Sequence, residues 1–143
     1  GLSMEEKNVE LFRRRLNDNC TLTEQDLIPK IMIDVPMPIS YLSKKLTEQL
    51  KVLEPFGKGN SKPLFAQKNL RAVGIRVLGR NRNVAKMLLI DENGIKMDAV
   101  YFGEAQEFVD FVQAHDTISV TYYPEINVFQ GRENLQVVIK NYC

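Results

Sequence analysis

The chain has 143 residues, 44% hydrophobic and 26% charged, which suits one globular domain, or one plus part of another, and excludes wholesale disorder. Lys and Arg number 19 against 18 Asp and Glu, so the net charge of +1 names no partner. A single histidine, His115, excludes a histidine-built metal cluster, and Cys20 and Cys143 have neither zinc spacing nor the density of a disulfide framework.

Two isolated cysteines fit a reducing compartment, and the expected location is cytoplasmic. No apolar run approaches the roughly 20 residues that span a bilayer. The start, Gly1-Leu2-Ser3-Met4-Glu5-Glu6, lacks the basic-then-apolar order of a signal peptide and reads as the beginning of a fragment. No G-x-S-x-G elbow, Walker loop or dinucleotide fingerprint occurs.

In chain order, the first element is a helix from Ser3 to about Asn17. Ser3 and Glu6 have capping-box spacing, and Val9, Phe12 and Leu16 mark one face. Arg13, Arg14 and Arg15 fall near its C-terminal end, where cations suit the helix dipole and a solvated helix end explains them. Thr23-Glu24-Gln25-Asp26 is turn-like. The β-branched run Lys30 to Val35 predicts a strand, stopped by Pro36 and Pro38. Leu42, Leu46, Leu50 and Leu53 recur at helical spacing after a Ser40 cap, and Pro55 ends that helix. The stretch Leu53 to Phe65, with its glycines and prolines, is a structured connector.

Beyond Phe65 the period changes to two. Strands are expected over Gln67–Leu78, Val84–Ile90, Ile95–Phe102, Thr117–Tyr123 and Asn134–Asn141. Asp91-Glu92-Asn93-Gly94 is a tight turn, Gly79 to Asn83 a looser hairpin loop, and Gln130-Gly131-Arg132-Glu133 another. A short helix over Glu104–Ala114, with Phe108, Phe111 and Val112 inward, separates the third and fourth strands. The expected fold is therefore mainly β with flanking helices (α+β): a five-stranded OB-fold barrel preceded by a helical and short-strand segment. An SH3-like barrel is the alternative, but it does not require that helix.

Charge is clustered locally. Between Pro55 and Ile90 stand eight Lys or Arg and no Asp or Glu: Lys58, Lys62, Lys68, Arg71, Arg76, Arg80, Arg82 and Lys86. In OB-folds the second and third strands and their flanking loops form the usual ligand face, where such charge neutralises phosphates and releases counterions. Arg76 lies mid-strand, out of phase with Val73, Ile75 and Val77, and so faces away from the core. Arg80, Arg82 and Arg132 sit at loop tips. For base stacking the candidates are Tyr101, Tyr123 and Phe129; Tyr122 shares parity with Ile118 and Val120 and belongs to the core. Tyr101 and Phe102 point to opposite faces, so one of them is core. His115-Asp116 reads as a helix end. Asp91, Glu92 and Asp98 are close enough to suggest a carboxylate metal site, but turn chemistry explains the first two.

The connector Leu53-Glu54-Pro55-Phe56-Gly57-Lys58-Gly59-Asn60-Ser61-Lys62-Pro63-Leu64-Phe65 resembles the Leu-x-Pro-[Phe/Tyr]-Gly-x-Gly-Asn-x-x-Pro-x-Phe pattern of the RecJ family of single-strand-specific DNA exonucleases. Ser61 stands where the family commonly has proline. Gly1-Leu2-Ser3 and Phe12-Arg13-Arg14-Arg15-Leu16 resemble the end of the family's DHHA1 domain, just after its glycine-histidine motif. Asp98 to Phe102 and Asn127 to Gly131 resemble its C-terminal OB domain.

The resemblance implies a division into residues 1–54 (DHHA1 remnant and connecting helix), 55–65 (connector) and 66–143 (OB domain). It implies a parent that degrades single-stranded DNA 5′→3′ in repair and recombination, with Mn2+ or Mg2+ held by a DHH catalytic domain whose motifs this chain lacks. No cofactor and no catalytic residue are then expected here. The expected partners are single-stranded DNA, that catalytic domain and a replication or repair protein, with no membrane. The expected contacts are Lys58, Lys62, Arg71, Arg76, Arg80, Arg82, Lys86, Tyr101, Tyr123, Phe129 and Arg132. The alternative role is a structural or protein-docking domain of the same nuclease without DNA contact.

Overall fold

The computed structural model describes all 143 residues, which form two compact units, Gly1–Ile31 and Met32–Cys143. In the first unit a 3₁₀ turn at Glu6–Asn8 leads into helix α1 (Val9–Asp18), and no residue of the helix is buried. The expected Ser3–Glu6 capping box does not form, because the helix proper begins later, after Asn8. A capping box forms instead at the next 3₁₀ turn, Glu24–Leu27, where the Thr23 amide and hydroxyl both donate to the Asp26 carboxylate at 2.8 and 2.7 Å. Those bonds hold the Asp26 carboxyl below the usual carboxylate range, its backbone partner first. Asn19 closes α1 by donating its side chain to the Arg15 carbonyl at 2.7 Å.

The second unit begins well before the barrel. The strand expected over Lys30–Val35 shrinks to β1 (Val35–Pro36), which pairs parallel with Phe65 and Ala66. Pro36 lies within this strand and not after it, which an edge position permits. Asp34 fixes the register: its amide donates to the Leu64 carbonyl at 2.9 Å, and its carboxylate accepts the Leu64 amide at 2.8 Å. Ile39, fully buried, follows in a 3₁₀ turn and donates its amide to the Gln67 side chain at 2.7 Å. Helix α2 (Lys44–Leu50) is capped by Ser43, whose hydroxyl accepts the Leu46 amide at 3.1 Å; the expected Ser40 cap lies within the preceding turn. Residues 32–54, expected to belong with the preceding domain, therefore pack with the barrel.

The barrel strands are β2 (Phe65–Leu78), β3 (Val84–Ile90), β4 (Lys96–Phe102), β5 (Ile118–Phe129) and β6 (Arg132–Tyr142), with helix α3 (Ala105–Gln113) between β4 and β5. Their order is β1-β2-β3-β4-β6-β5, and β2 also pairs with β5, which closes the ring of five. The β4–β6 pairing is parallel and all other barrel pairings are antiparallel. This order, with the helix after the third barrel strand, is that of the OB-fold.

β2 serves both edges of the closure: residues 65–70 pair with β5 and residues 71–78 with β3, and the register slips between Val73 and Arg76. Gly74 sits at that slip with φ +63°, a conformation that other side chains resist.

The core is lined by Phe65 and Leu70, by Ala85, Met87 and Leu89, by Met97 and Ala99, and by Val120, Tyr122, Val137 and Ile139. Phe108 of α3 is fully buried against this core, as its helical spacing predicts. Tyr122 is also fully buried, and its hydroxyl donates to the Met37 carbonyl, tying the segment before α2 to the barrel. Burial drives its phenol pKa well above the usual range.

β5 runs six residues beyond the expected end, because Pro124 lies where β5 has left β2 and pairs only with β6. The turn at Gln130–Gly131 has positive φ at both positions, 48° and 76°, as a two-residue hairpin of matching twist requires.

Candidate nucleic-acid interface

Directly paired residues on neighbouring strands point to the same side, so the register maps the outer face of the sheet. Arg76 pairs with Lys86, Lys86 with Val100, Val100 with Val138, and Val138 with Tyr123. One row thus crosses five strands, about 19 Å along the surface. Val100 and Val138 are buried yet stand outside the core cluster, so they form a sunken apolar floor between the cations and the tyrosine.

On one side of this row lies a second, Leu78, Val84 and Phe102, beside the loop Gly79–Asn83. On the other side lie Val73, Leu88, Asp98, Gln136 and Glu125, with Gln136 donating to Glu125 at 3.0 Å. Further along the strands come Arg71, Ile90 and Lys96.

The cations of this face lack acidic partners. The ion pairs of the molecule are Lys7–Glu5, Arg13–Glu10 and Lys44–Glu133, and none involves the eight basic residues between Pro55 and Ile90. Arg71, Arg76 and Lys86 are exposed on the outer face, and Arg80 and Arg82 are exposed in the loop beside it. Arg82 adopts positive φ and donates to Gln106 of α3 at 3.3 Å, which orders the loop. Lys62 lies 4.0 Å from the centre of the Tyr123 ring and 5.7 Å from that of Phe56. Lys140, which the sequence reading does not single out, lies 6.0 Å from the Tyr123 ring.

The connector places Lys62 through Asn60, whose side chain donates to the carbonyls of Leu53 and Pro55 at 2.9 and 3.0 Å. Gly57 and Asn60 also exchange backbone bonds of 2.9 and 3.2 Å, which closes the turn that carries Lys58. Lys58 is exposed, and no register places it on the face.

The aromatic candidates separate. Tyr123 is half-buried, with Lys62 over its ring; burial and then the Glu125 charge raise its phenol pKa. Phe129 is 65% exposed at the hairpin tip, paired with Arg132 and on the side of Tyr123. Tyr101, expected as a stacking candidate, instead packs inward: its ring stacks on Phe108 at 4.8 Å and meets the Tyr142 edge at 5.5 Å. The open member of that neighbouring pair is Phe102, 58% exposed. Strand alternation separates the two residues, but only the position of α3 decides which side is inner.

The carboxylates do not assemble. Asp91 accepts the amides of Asn93 and Ile95 at 2.9 and 2.8 Å, as a turn residue should, and Glu92 accepts from Asn69. No group of three or more His, Cys, Asp or Glu side chains comes together, so these residues do not fit the divalent metal implied for the parent nuclease. His115 lies at the end of α3, its ring stacked on Phe111 and its Nδ1 2.7 Å from the Phe111 carbonyl. No helix is long and apolar enough to cross a membrane.

A family model described as the RecJ OB domain matches residues 33–141, the barrel together with the segment folded onto it. The chain belongs to the RecJ OB domain family. Two relatives are both single-stranded-DNA-specific exonuclease RecJ. That of Bacillus subtilis (strain 168) is 28% identical over 99% of this chain and 18% of its own length. That of Escherichia coli (strain K12) is 26% identical over 99% of this chain and 24% of its own. The chain thus spans about a fifth of the length of these relatives.

Among solved structures, RecJ from Thermus thermophilus in complex with Mn2+ superposes with a TM-score of 0.69 at 19% identity, over all of this chain and 20% of that one. The Mg2+ complex gives 0.66 at 18%, over 98% and 21%. The family match begins at residue 33, next to the boundary between the compact units.

Proposed function

We propose that this OB domain is the single-strand-binding module of a RecJ-like 5′→3′ exonuclease of DNA repair and recombination. It holds the substrate beside a catalytic domain that carries the Mn2+ or Mg2+. The observation that carries this reading is the set of eight cations without an ion pair, of which Arg71, Arg76 and Lys86 share one outer face beside Arg80 and Arg82. Phosphates replacing counterions on such a face supply sequence-independent affinity. Phe129 and Arg132 at the hairpin tip extend the contact to the far end of the face, and Tyr123, with Lys62 over its ring, ends the row that begins at Arg76.

A scaffolding role accompanies this one. Leu11, Leu16, Leu22, Leu27 and Ile28 of residues 1–31 are all more than half exposed, an apolar surface suited to the rest of the DHHA1 domain whose end this segment resembles.

Fluorescence anisotropy of a labelled single strand over a salt series, with a duplex control, tests the binding role. Four to six phosphate contacts give a log–log slope of roughly −3 to −4, at about −0.7 per contact. A flat salt response, or equal affinity for the duplex, removes the binding role and leaves the scaffold.

A further inference from the structure

We infer that Phe102, with Val84 and Leu78, is a base-stacking platform, so that the outer face has two parallel tracks: cations for phosphates and an apolar strip for bases. This rests on the nucleic-acid reading and adds to it which side of the face the bases occupy.

The register puts Leu78, Val84 and Phe102 in one line across β2, β3 and β4, next to the Arg76–Lys86–Val100 line. The two lines are two residues apart along each strand, about 7 Å. Leu78 and Phe102 are 45% and 58% exposed, and both lie outside the core cluster and the residues packed on it. The Phe102 ring stacks on no other ring and no cation lies over it, whereas Tyr101 is committed to Phe108 and Tyr123 to Lys62.

Charge chooses the occupant and its orientation. The apolar line is bordered by Arg76 and Lys86 on one side and by the loop carrying Arg80 and Arg82 on the other, none of them in an ion pair. A polyanion with flat apolar side groups matches those surroundings. On the opposite flank, the line next to Arg76 and Lys86 carries Asp98 and Glu125, which repel phosphate and separate these cations from Arg71 and Lys96. A single strand whose phosphates follow Arg76 and Lys86 therefore turns its bases to Phe102, and a duplex cannot, because its bases face each other.

The test uses the 143-residue chain and a thymidine oligonucleotide carrying one 2-aminopurine, whose fluorescence falls when the base stacks. Phe102→Ala is expected to weaken binding roughly 5- to 100-fold and to abolish the quenching, with the salt slope unchanged. Phe102→Trp restores both. Arg76→Ala instead flattens the slope by about 0.7 while quenching at saturation persists. Circular dichroism verifies that the variants remain folded. A folded Phe102→Ala protein with wild-type affinity and quenching overturns the platform and leaves the phosphate track standing. Failure of the wild-type chain to bind at low salt overturns both.

Discussion

Between the Gly79–Asn83 loop and the Arg71–Lys96 line, the outer face of the barrel has two electrostatic halves built on the same strands. Near the Gly79–Asn83 loop, Arg76 and Lys86 lie beside buried Val100 and Val138 without any acid in pairing distance. One step along the strands, the line through Asp98, Gln136 and Glu125 carries the opposite charge, partly satisfied by the Gln136–Glu125 hydrogen bond. A chain with a net charge of only +1 can thus still present a directional electrostatic surface. The part of the basic segment on β2, β3 and their connection is laid against acids from β4 and β5, and the boundary between the halves runs across the strands.

Inverting the basic half abolishes this contrast most severely. Arg76→Glu with Lys86→Glu is expected to weaken single-strand binding about 100-fold near 0.1 M salt, since each lost phosphate contact alone costs about fivefold there and the new charges repel. Unchanged anisotropy titrations in the folded double variant would remove this half from the interface. Next comes the far end of the face: Phe129→Ala is expected to cost about tenfold through lost stacking, with the salt slope preserved. A slope that flattens as well would mean that the tip acts by placing Arg132. The mildest change is in the acidic half. Asp98→Asn should strengthen binding about threefold at low salt, with the gain disappearing as screening rises. A loss of affinity instead would show that Asp98 accepts a hydrogen bond from the ligand.

The aromatic clusters show where reading from sequence stops. Tyr122 and Phe108 were legible as core from parity and helical spacing, and both are fully buried. Tyr101 and Phe102 were legible only as a pair on opposite faces. Assigning Tyr101 inward required α3, because Phe108 and Tyr142 provide its packing partners. Tyr123 was expected outward and is, but Lys62, brought back by the connector, occupies its ring. Lys140 stayed invisible because its neighbour in space is Tyr123, seventeen positions earlier in the sequence.

The strand and helix order of the barrel, the turn at Asp91–Gly94, the outward direction of Arg76 and the basic segment from Lys58 to Lys86 could all be read from the residues in order. These are local properties: periodicity, turn chemistry and charge density act within a few residues. Long-range pairing was needed to show that residues 32–54 join the barrel, through bonds such as Asp34 to Leu64 and Tyr122 to Met37. It was needed too for the continuation of β5 past Pro124 and for the single row formed by Arg76, Lys86, Val100, Val138 and Tyr123. Such facts depend on the register between distant strands, where a shift of one residue turns every side chain to the other face.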